Sequence, residues 1–357
     1  MYARINVNKV VKIAVVQMNA MPAPVEERLA RAEGLVIQCA EMGAQLIVLP
    51  EVFNTGYEYS DQNYLRAERL DGPTAAWMTQ TASRYHVHLA GSFLRREGSD
   101  IFNTLLLAAP DGQQWQYDKN YPWMWERAFF QRGTDITVAQ TEFGKVGFLI
   151  CWDGAHPNLW QQYAGKVDLM IVSSCAPRAL EVTFVFPDGK LSMSEQRGGL
   201  AQYLKRKTDQ TFGAFLRRQA ACLEVPVAHA SSTGNAKSCL PKPKLSLVML
   251  SAIYPPLLKY IAQFEHARIE TGIFNDTYIA GETGNVLQSA QPGSEGFAIS
   301  EVILPELTQK PRGKQLQFGI PKIMYWLDSI AEMLFAAEYM RKTRSYFSKR
   351  DFFTKDG

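Results

Sequence analysis

The chain has 357 residues, of which 46% are hydrophobic, and a formal net charge of +3 at pH 7. This length suffices for one large domain with additions or for two domains, and the small net charge excludes the strongly basic composition typical of nucleic-acid-binding proteins. No stretch of sequence reaches the roughly 18 consecutive apolar residues that a membrane-spanning helix needs.

Strand and helix patterns alternate along the first half of the chain. Residues 12–18 are predicted as a strand, 25–42 as an amphipathic helix that ends at Gly43, and 45–50 as the next strand. Alternation of this kind predicts an α/β layered domain. Further along the chain we predict a helix at 74–85, strands at 86–93, 103–109, 114–119 and 146–151, a helix near 157–164 and a strand at 167–173.

Three predicted strands end at or next to an ionisable residue, namely Glu51, Lys119 and Cys151. In layered α/β folds, ligands tend to bind at the carboxyl ends of the strands. A thiol at the end of a buried strand is held rigidly yet remains reachable for a substrate. Taken singly, Glu51 would be a loop acid, Lys119 a solvated lysine and Cys151 a residue of the packed core. Their joint occurrence in these contexts favours catalysis.

In this order and context, Glu51, Lys119 and Cys151 resemble the Glu-Lys-Cys triad of the nitrilase (carbon–nitrogen hydrolase) superfamily. The segment after the cysteine resembles that of the aliphatic amidases and formamidases. It has Asp153 two residues after Cys151, where true nitrilases usually have Glu. The resemblance is weaker at 218–234 and 277–287. Between about 12 and 174 it also includes Gly91-Ser92, Asn103-Thr104, Asp111-Gly112 and Tyr117.

The resemblance implies a four-layer α-β-β-α sandwich whose subunits pack helix on helix, and hence a homodimer or larger homo-oligomer. We expect a carbon–nitrogen hydrolase domain at 1–306 with insertions at about 178–199 and 241–268, followed by a C-terminal helical extension at 307–357. The first insertion is predicted to contain a hairpin-like turn at 184–189 and to lead into a basic helix at 203–223.

The resemblance also implies roles for five residues. Cys151 would attack a carbonyl or nitrile carbon, and Glu51 would be its base, because a free thiol is only a few per cent ionised at pH 7. Lys119 and the backbone N–H of Trp152 would hold the oxyanion. Glu126 resembles a second glutamate that orients the lysine and substrate, although the segment before it departs from the usual Lys-x-His-Leu pattern.

Several side chains near these positions are candidates for substrate binding. Trp123, Trp125 and Trp152 would form an apolar wall. His156 lies five residues after the nucleophile, and Cys175 ends the following strand. Ordinary packing is the alternative for each of them. The candidates are Tyr57, Trp123, Trp125, Trp152, His156 and Cys175.

Metal ligands and targeting signals are absent from the sequence pattern. The five cysteines have no CxxC or metal-type spacing, and His86 and His88, two apart on a predicted strand, have no third ligand nearby. We therefore expect no metal or cofactor, free thiols and a reducing compartment. No signal-type apolar segment precedes the first strand, which predicts a cytoplasmic protein.

Residues 241–264 and a C-terminal helix at 320–353 combine apolar residues with cationic flanks. Ile323, Leu327, Ile330 and Leu334 are predicted to share one face of that helix. Such helices can contact a membrane surface peripherally, but amphipathic helices more often face protein, which favours a subunit interface or a lid over the pocket.

These observations predict a thiol amidohydrolase that cleaves a non-peptide amide, with a hydrophobic or extended acyl group, through a Cys151 thioester. A nitrilase would use the same triad on a small nitrile. An N-acyltransferase would pass the acyl group to an amine or lipid, and a scaffold would require a vestigial triad, which its intactness argues against.

Overall fold

The computed structural model describes residues 9–178, 181–195, 211–252, 254–304 and 322–347. The first part of the chain forms β1 (Lys9–Gln17), α1 (Val25–Glu41), β2 (Leu46–Val48), α2 (Gln62–Arg66), α3 (Pro73–Tyr85), β3 (His88–Glu97), β4 (Asp100–Ala108) and β5 (Gln114–Asp118). Next come β6 (Val138–Thr141), β7 (Gly144–Ile150), α4 (Pro157–Tyr163), β8 (Leu169–Ser174), β9 (Thr183–Phe186), β10 (Gly189–Ser192), α5 (Leu216–Leu223) and β11 (Val227–Ser231). The last elements are β12 (Asn235–Cys239), α6 (Pro243–Ser251), β13 (Arg268–Gly272), β14 (Tyr278–Ala280), β15 (Val286–Ser289), β16 (Gly296–Leu304) and α7 (Lys322–Phe347).

Two six-stranded sheets form the centre of the described structure. Their strand orders are β16-β1-β2-β3-β4-β5 and β15-β14-β11-β8-β7-β6. In the first sheet β1, β2 and β3 are parallel, and in the second β7, β8 and β11 are parallel. The predicted α/β class is confirmed.

The apolar residues of β1 show how the first sheet is covered on both faces. Val11, Ile13 and Val15 belong to the large apolar core that also contains the strands of the second sheet. Ala14 and Val16 point the other way, toward residues of α1 and α3. Because side chains alternate along a strand, one continuous apolar run can serve both faces.

The first inserted segment forms a third sheet together with the two strands that flank the second insertion, which sequence patterns alone did not indicate. β9 and β10 pair as a hairpin around the predicted turn, and β9 also pairs with β13, which begins at the last residue of the second insertion. The sheet order is β10-β9-β13-β12. Of the predicted basic helix, residues 203–210 lie outside the described part of the chain, and the described remainder contains α5.

The C-terminal helix α7 packs against the turn Met124–Ala128. Leu327 is buried as predicted, but the buried face is centred on Met324, Ala331 and Phe335. Ile330 and Leu334 are only half-buried, so the predicted face was displaced by about one position. Among the described residues, no helix has the length and apolar character needed to cross a bilayer.

The predicted strand at 86–93 begins later than expected. His86 adopts a left-handed conformation with φ of +53° and ends α3, with its backbone N–H bonded to that helix. His88 is the first residue of β3 and is buried. The two histidines therefore do not alternate on one strand, because the helix end occupies the first position.

Candidate active site

Glu51, Lys119 and Cys151 each follow the end of a strand, after β2, β5 and β7 respectively. Their exposed fractions are 1%, 0% and 3%, so all three ionisable groups are withdrawn from water. A charged group buried this deeply requires partners, since desolvation alone would neutralise it.

The ammonium group of Lys119 lies between two carboxylates. Its Nζ donates to Oε1 of Glu51 at 2.7 Å and to Oε2 of Glu126 at 2.7 Å. Burial lowers the pKa of Lys119, but the negative charges of Glu126 and Glu51 more than offset this, and the pKa lies well above its ordinary value. The lysine is therefore a permanent cation in the site.

Two further donors fix the carboxylate of Glu51. The side-chain amide of Asn103 donates to Oε1 at 2.8 Å, and the backbone N–H of Cys175 donates to Oε2 at 2.8 Å. The backbone carbonyl of Asn103 also accepts from the N–H of Lys119 at 2.9 Å. Glu51 is thus held in one orientation.

Glu126 is held from both sides of its carboxylate. The N–H of Trp123 donates to Oε2 at 2.7 Å and the hydroxyl of Tyr57 donates to Oε1 at 3.0 Å. Tyr57 in turn lies 2.8 Å from the hydroxyl of Tyr59. Burial raises the pKa of Glu126 and nearby Glu51 adds to this, while Lys119 opposes both.

Cys151 begins the short helical turn Cys151–Ala155 with a φ of +48°. A left-handed backbone is unfavourable for residues other than glycine, and such strain concentrates at functional sites. Two other residues of the site region share it: Val52, next to Glu51, with φ of +44°, and Met124, two residues before Glu126, with φ of +41°.

The surroundings of the Cys151 thiol disfavour its ionisation. Burial raises its pKa well above the ordinary value and the charge of Glu51 raises it further, while Lys119 lowers it. The charges of Glu51 and Lys119 therefore both influence the thiol. A thiol in this environment ionises only when a neighbouring group takes its proton.

Asp153 links the nucleophile turn to the segment that carries Lys119. Its Oδ2 accepts from the hydroxyl of Tyr117 at 2.8 Å and from the N–H of Ile150 at 3.2 Å, and its Oδ1 accepts from the N–H of Tyr121 at 2.7 Å. Burial raises the pKa of Asp153 to about 7. Sequence reasoning used this residue only as a marker of the amidase branch.

An apolar chamber lies next to Tyr59 and Trp123; the empty space between its walls, counted together with the part open to solvent, is roughly 620 Å³. The three catalytic candidates do not line it. Tyr59 and Trp123 lie between the chamber and these candidates. The hydroxyl of Tyr59 contacts that of Tyr57, which binds Glu126. The ring of Trp123 lies 4.2 Å from that of Trp152, next to the nucleophile. The lining residues are Tyr59, Trp123, Met124, Trp125, Pro177, Val182, Phe184, Met193, Leu250, Ile269, Thr271, Met324 and Leu327.

A second space of about 300 Å³ is lined by Glu126 itself. Tyr57, Asn103 and Glu126 contribute to its wall, as does Tyr59, which lines both spaces. Tyr59 therefore belongs to the walls of both the apolar chamber and the space that Glu126 lines.

Three of the predicted substrate-binding residues line one of these two spaces, and the other three line neither. Trp123 and Trp125 line the apolar chamber, and Tyr57 lines the second space. Trp152, His156 and Cys175 line neither. The contribution of Cys175 to the site is its backbone N–H rather than its thiol.

His156 lies in an aromatic stack behind the nucleophile turn. Its ring is parallel to that of Tyr121 at 3.6 Å and perpendicular to that of Trp152 at 5.7 Å. Burial, with Arg127 and Arg132 nearby, lowers the pKa of His156 to about 3. It is a neutral packing ring and cannot act as a proton donor near pH 7.

Sequence reasoning missed three residues of the site. Asn103 was noted only as part of a motif, and Tyr59 was not noted. Asp328, on α7, had no local signal at all, because its contacts come from residues about 200 positions earlier. Among the described residues, no group of histidine, cysteine, aspartate and glutamate is arranged to hold a metal ion.

Comparisons with known proteins agree with this arrangement of elements. A profile of the carbon–nitrogen hydrolase family matches residues 12–312. The chain is 30% identical over 182 residues to a nitrilase from Pyrococcus abyssi, covering 48% of this chain and 70% of that protein. It is 31% identical over 170 residues to a probable nitrilase from Schizosaccharomyces pombe, covering 45% of this chain and 62% of that protein.

Solved structures show the same fold at low sequence identity. An amidase from Nesterenkonia sp. superposes with a TM-score of 0.59 at 18% identity, covering 84% of this chain and 91% of that one. Nit3 from Saccharomyces cerevisiae, a member of branch 10 of the nitrilase superfamily, gives 0.59 at 19% identity, covering 89% of this chain and 100% of that one.

Proposed function

Because this chain belongs to the carbon–nitrogen hydrolase family, we propose that it is a thiol amidohydrolase that cleaves a non-peptide amide through a thioester on Cys151. The observation that carries the proposal is the buried Glu51–Lys119–Glu126 cluster, joined by two contacts of 2.7 Å beside a buried thiol. It supplies a base and a cation to a nucleophile that is otherwise neutral.

The first half of the reaction forms the thioester. The sulfur of Cys151 attacks the amide carbon as the thiol proton passes to the carboxylate of Glu51, so that a C–S bond forms without a free thiolate. Collapse of the tetrahedral intermediate breaks the C–N bond, and the protonated Glu51 gives its proton to the leaving amine.

The negative oxygen of that intermediate requires donors. An ammonium group has three N–H donors, and Lys119 uses two of them on carboxylates. The third is available for the oxyanion, together with the backbone N–H of Trp152 at the start of a helical turn. One such donor is typically worth about 2.7–4 kcal/mol.

The second half of the reaction releases the acid. Water attacks the thioester carbon as Glu51 accepts one of its protons, and the C–S bond breaks. The departing sulfur then recovers the proton from Glu51. Each half returns the site to the same charges, so no other co-reactant is required.

The acyl group is proposed to be apolar and to extend from Cys151 past Tyr59 and Trp123 into the chamber, which the catalytic candidates do not line themselves. Its wall contains Trp123, Trp125 and Phe184, and Thr271 and the tyrosine hydroxyl are the exceptions to its apolar lining. Burial of an apolar group there would contribute about 25 cal/mol per Å² of area removed from water.

The experiment compares wild type, Cys151→Ala and Cys239→Ala on a panel of short amides, long-chain amides, aryl amides and nitriles. Cys239 is an exposed free cysteine and serves as the matched control. We expect Cys151→Ala to lose turnover by several orders of magnitude, and Cys239→Ala to match wild type. Normal turnover by Cys151→Ala would contradict the thioester mechanism.

The same assay separates the two alternative activities. Faster turnover of nitriles than of amides would favour a nitrilase, the activity named for the Pyrococcus abyssi relative. Hydroxylamine added to the reaction would yield acyl hydroxamate at the expense of acid in either case. An acyltransferase would form product with an amine acceptor and almost no acid when only water is present.

A further inference from the structure

The carboxylate of Asp328 lies on α7, outside the region matched by the family profile, yet it contacts the candidate active site. Its residue is 4% exposed. Oδ1 accepts from the backbone N–H of Met124 at 2.9 Å, and Oδ2 accepts from a guanidinium N–H of Arg127 at 2.7 Å and from the indole N–H of Trp152 at 3.3 Å. One side chain thus joins two separate segments of the site.

The first of these segments carries Glu126. Met124 has a left-handed backbone with φ of +41°, and a strained residue persists only where its surroundings fix it. The hydrogen bond from Met124 to Asp328 supplies such a constraint. The turn that results places Glu126 so that it accepts from the N–H of Trp123 and from Lys119, both at 2.7 Å.

The second segment is the nucleophile turn. Trp152 directly follows Cys151, and its ring lies against that of Trp123 at 4.2 Å. Asp328 accepts one hydrogen bond from the indole N–H of Trp152 and another from the backbone N–H of Met124, the residue after Trp123. It therefore fixes the spacing between the turn that bears the cysteine and the turn that bears Glu126.

We propose that Asp328 is a positioning residue for the reaction: from the C-terminal helix it aligns the two oxyanion donors, Lys119 through Glu126 and the backbone N–H of Trp152. This inference rests on the proposed function. It implies that α7 is part of the working enzyme and not merely an appended helix.

Asp328→Asn keeps the shape and one acceptor oxygen but removes the charge. Glu332→Gln is the matched control, because Glu332 lies on the same helix, pairs with Arg127 at 3.3 Å and is far more exposed. A third variant, Trp152→Phe, keeps the aromatic ring but removes the N–H that reaches Asp328.

Three measurements are made on the full chain: kcat and KM for the best amide of the panel, the alkylation rate of Cys151 with iodoacetamide, and the melting temperature. Alkylation uses the sulfur but forms no oxyanion. We expect Asp328→Asn to lower kcat about 10- to 100-fold, with KM and alkylation changed less than about threefold. Trp152→Phe should show a smaller loss of the same kind, and Glu332→Gln should match wild type.

Equal kcat values for Asp328→Asn and wild type would overturn the inference while leaving the proposed function intact. So would a loss of kcat that only follows the fraction of folded protein, with faster alkylation of an opened site. If Asp328→Asn fails to fold, Trp152→Phe decides, and an unchanged kcat in that variant overturns the inference. A wild type without turnover on any amide or nitrile would contradict the proposed function and the inference together.

Discussion

Asp153 illustrates how burial changes the chemistry of a single carboxyl group in this protein. Its pKa rises from an ordinary 3.8 to about 7 because the group is buried, although Lys119 and three hydrogen-bond donors oppose the shift. Near pH 7 a substantial fraction is therefore protonated. This protonated form carries no negative charge two residues from Cys151.

The shift of Asp153 predicts a pH dependence of stability. A raised pKa means that the folded state binds the proton more tightly than the unfolded state. The stability from this group is therefore fully present below about pH 4 and is lost as the pH rises through 7. We expect the unfolding free energy of wild type, relative to Asp153→Asn, to decrease by up to about 4 kcal/mol between pH 4 and 8.

Urea unfolding of both proteins at several pH values measures this difference. The Asp153→Asn variant is its own control for all other titrating groups, because these are shared with wild type. Parallel stability curves for the two proteins would contradict the assigned shift.

At the residue level, the sequence indicated the groups that follow strand ends and missed those that hold them. Glu51 and Cys151 stand out because an apolar run stops just before each of them, and Lys119 because it closes a predicted strand. Asn103 and Asp328 carry no such mark, since what they do depends on contacts between distant segments.

Among the secondary-structure elements, the inserted segments and α7 give the protein its apolar chamber. β9, β13 and α6 contribute Phe184, Ile269 and Leu250, and α7 contributes Met324 and Leu327. The sequence predicts two insertions, but the pairing of β9 with β13 and of β13 with β12 depends on long-range contacts that no local pattern contains.

The chamber predicts a dependence of activity on acyl size. Leu250 lines it from α6 and is 8% exposed. Leu250→Phe should raise KM for long-chain or aryl amides about 10-fold and leave short amides within about twofold, because extra bulk excludes the larger group and costs about 1–3 kcal/mol. Val248→Phe is the control, since Val248 lies on the same helix and is 53% exposed.

Initial rates over an acyl-length series give both KM values. Loss of short-amide activity in step with long-amide activity would place the acyl group elsewhere or indicate a general distortion. The melting temperature of Leu250→Phe distinguishes those two explanations.

For the whole molecule, the outer face of α7 leaves apolar side chains uncovered. Trp326, Met333 and Met340 are seven residues apart and are 60%, 74% and 49% exposed. A repeat of seven is the spacing of a seam between packed helices. We therefore expect this face to contact a second copy of the chain rather than a bilayer.

Met333→Glu should lower the molar mass measured by light scattering, whereas Val286→Glu, at an exposed apolar residue of β15, should not. Neither the wild type nor the Met333→Glu variant should float with liposomes of anionic lipid. Flotation of wild type that Met333→Glu abolishes would instead support the peripheral membrane contact considered from the sequence.

Across the whole chain, the α/β class and most strands of the two large sheets followed from apolar runs and their periods. The displaced face of α7 and the late start of β3 have one cause. Helix ends and buried faces are decided by the partners they meet, and those partners are distant in sequence.

The central claim is that the acyl group is carried on the sulfur of Cys151. Rapid-quench mass spectrometry of wild type with a slowly hydrolysed apolar amide tests it most directly. We predict a transient mass increase equal to the acyl group on the peptide containing Cys151, which decays as the free acid appears. Free acid formed without any adduct on that peptide, or with the adduct on another cysteine, would contradict the account.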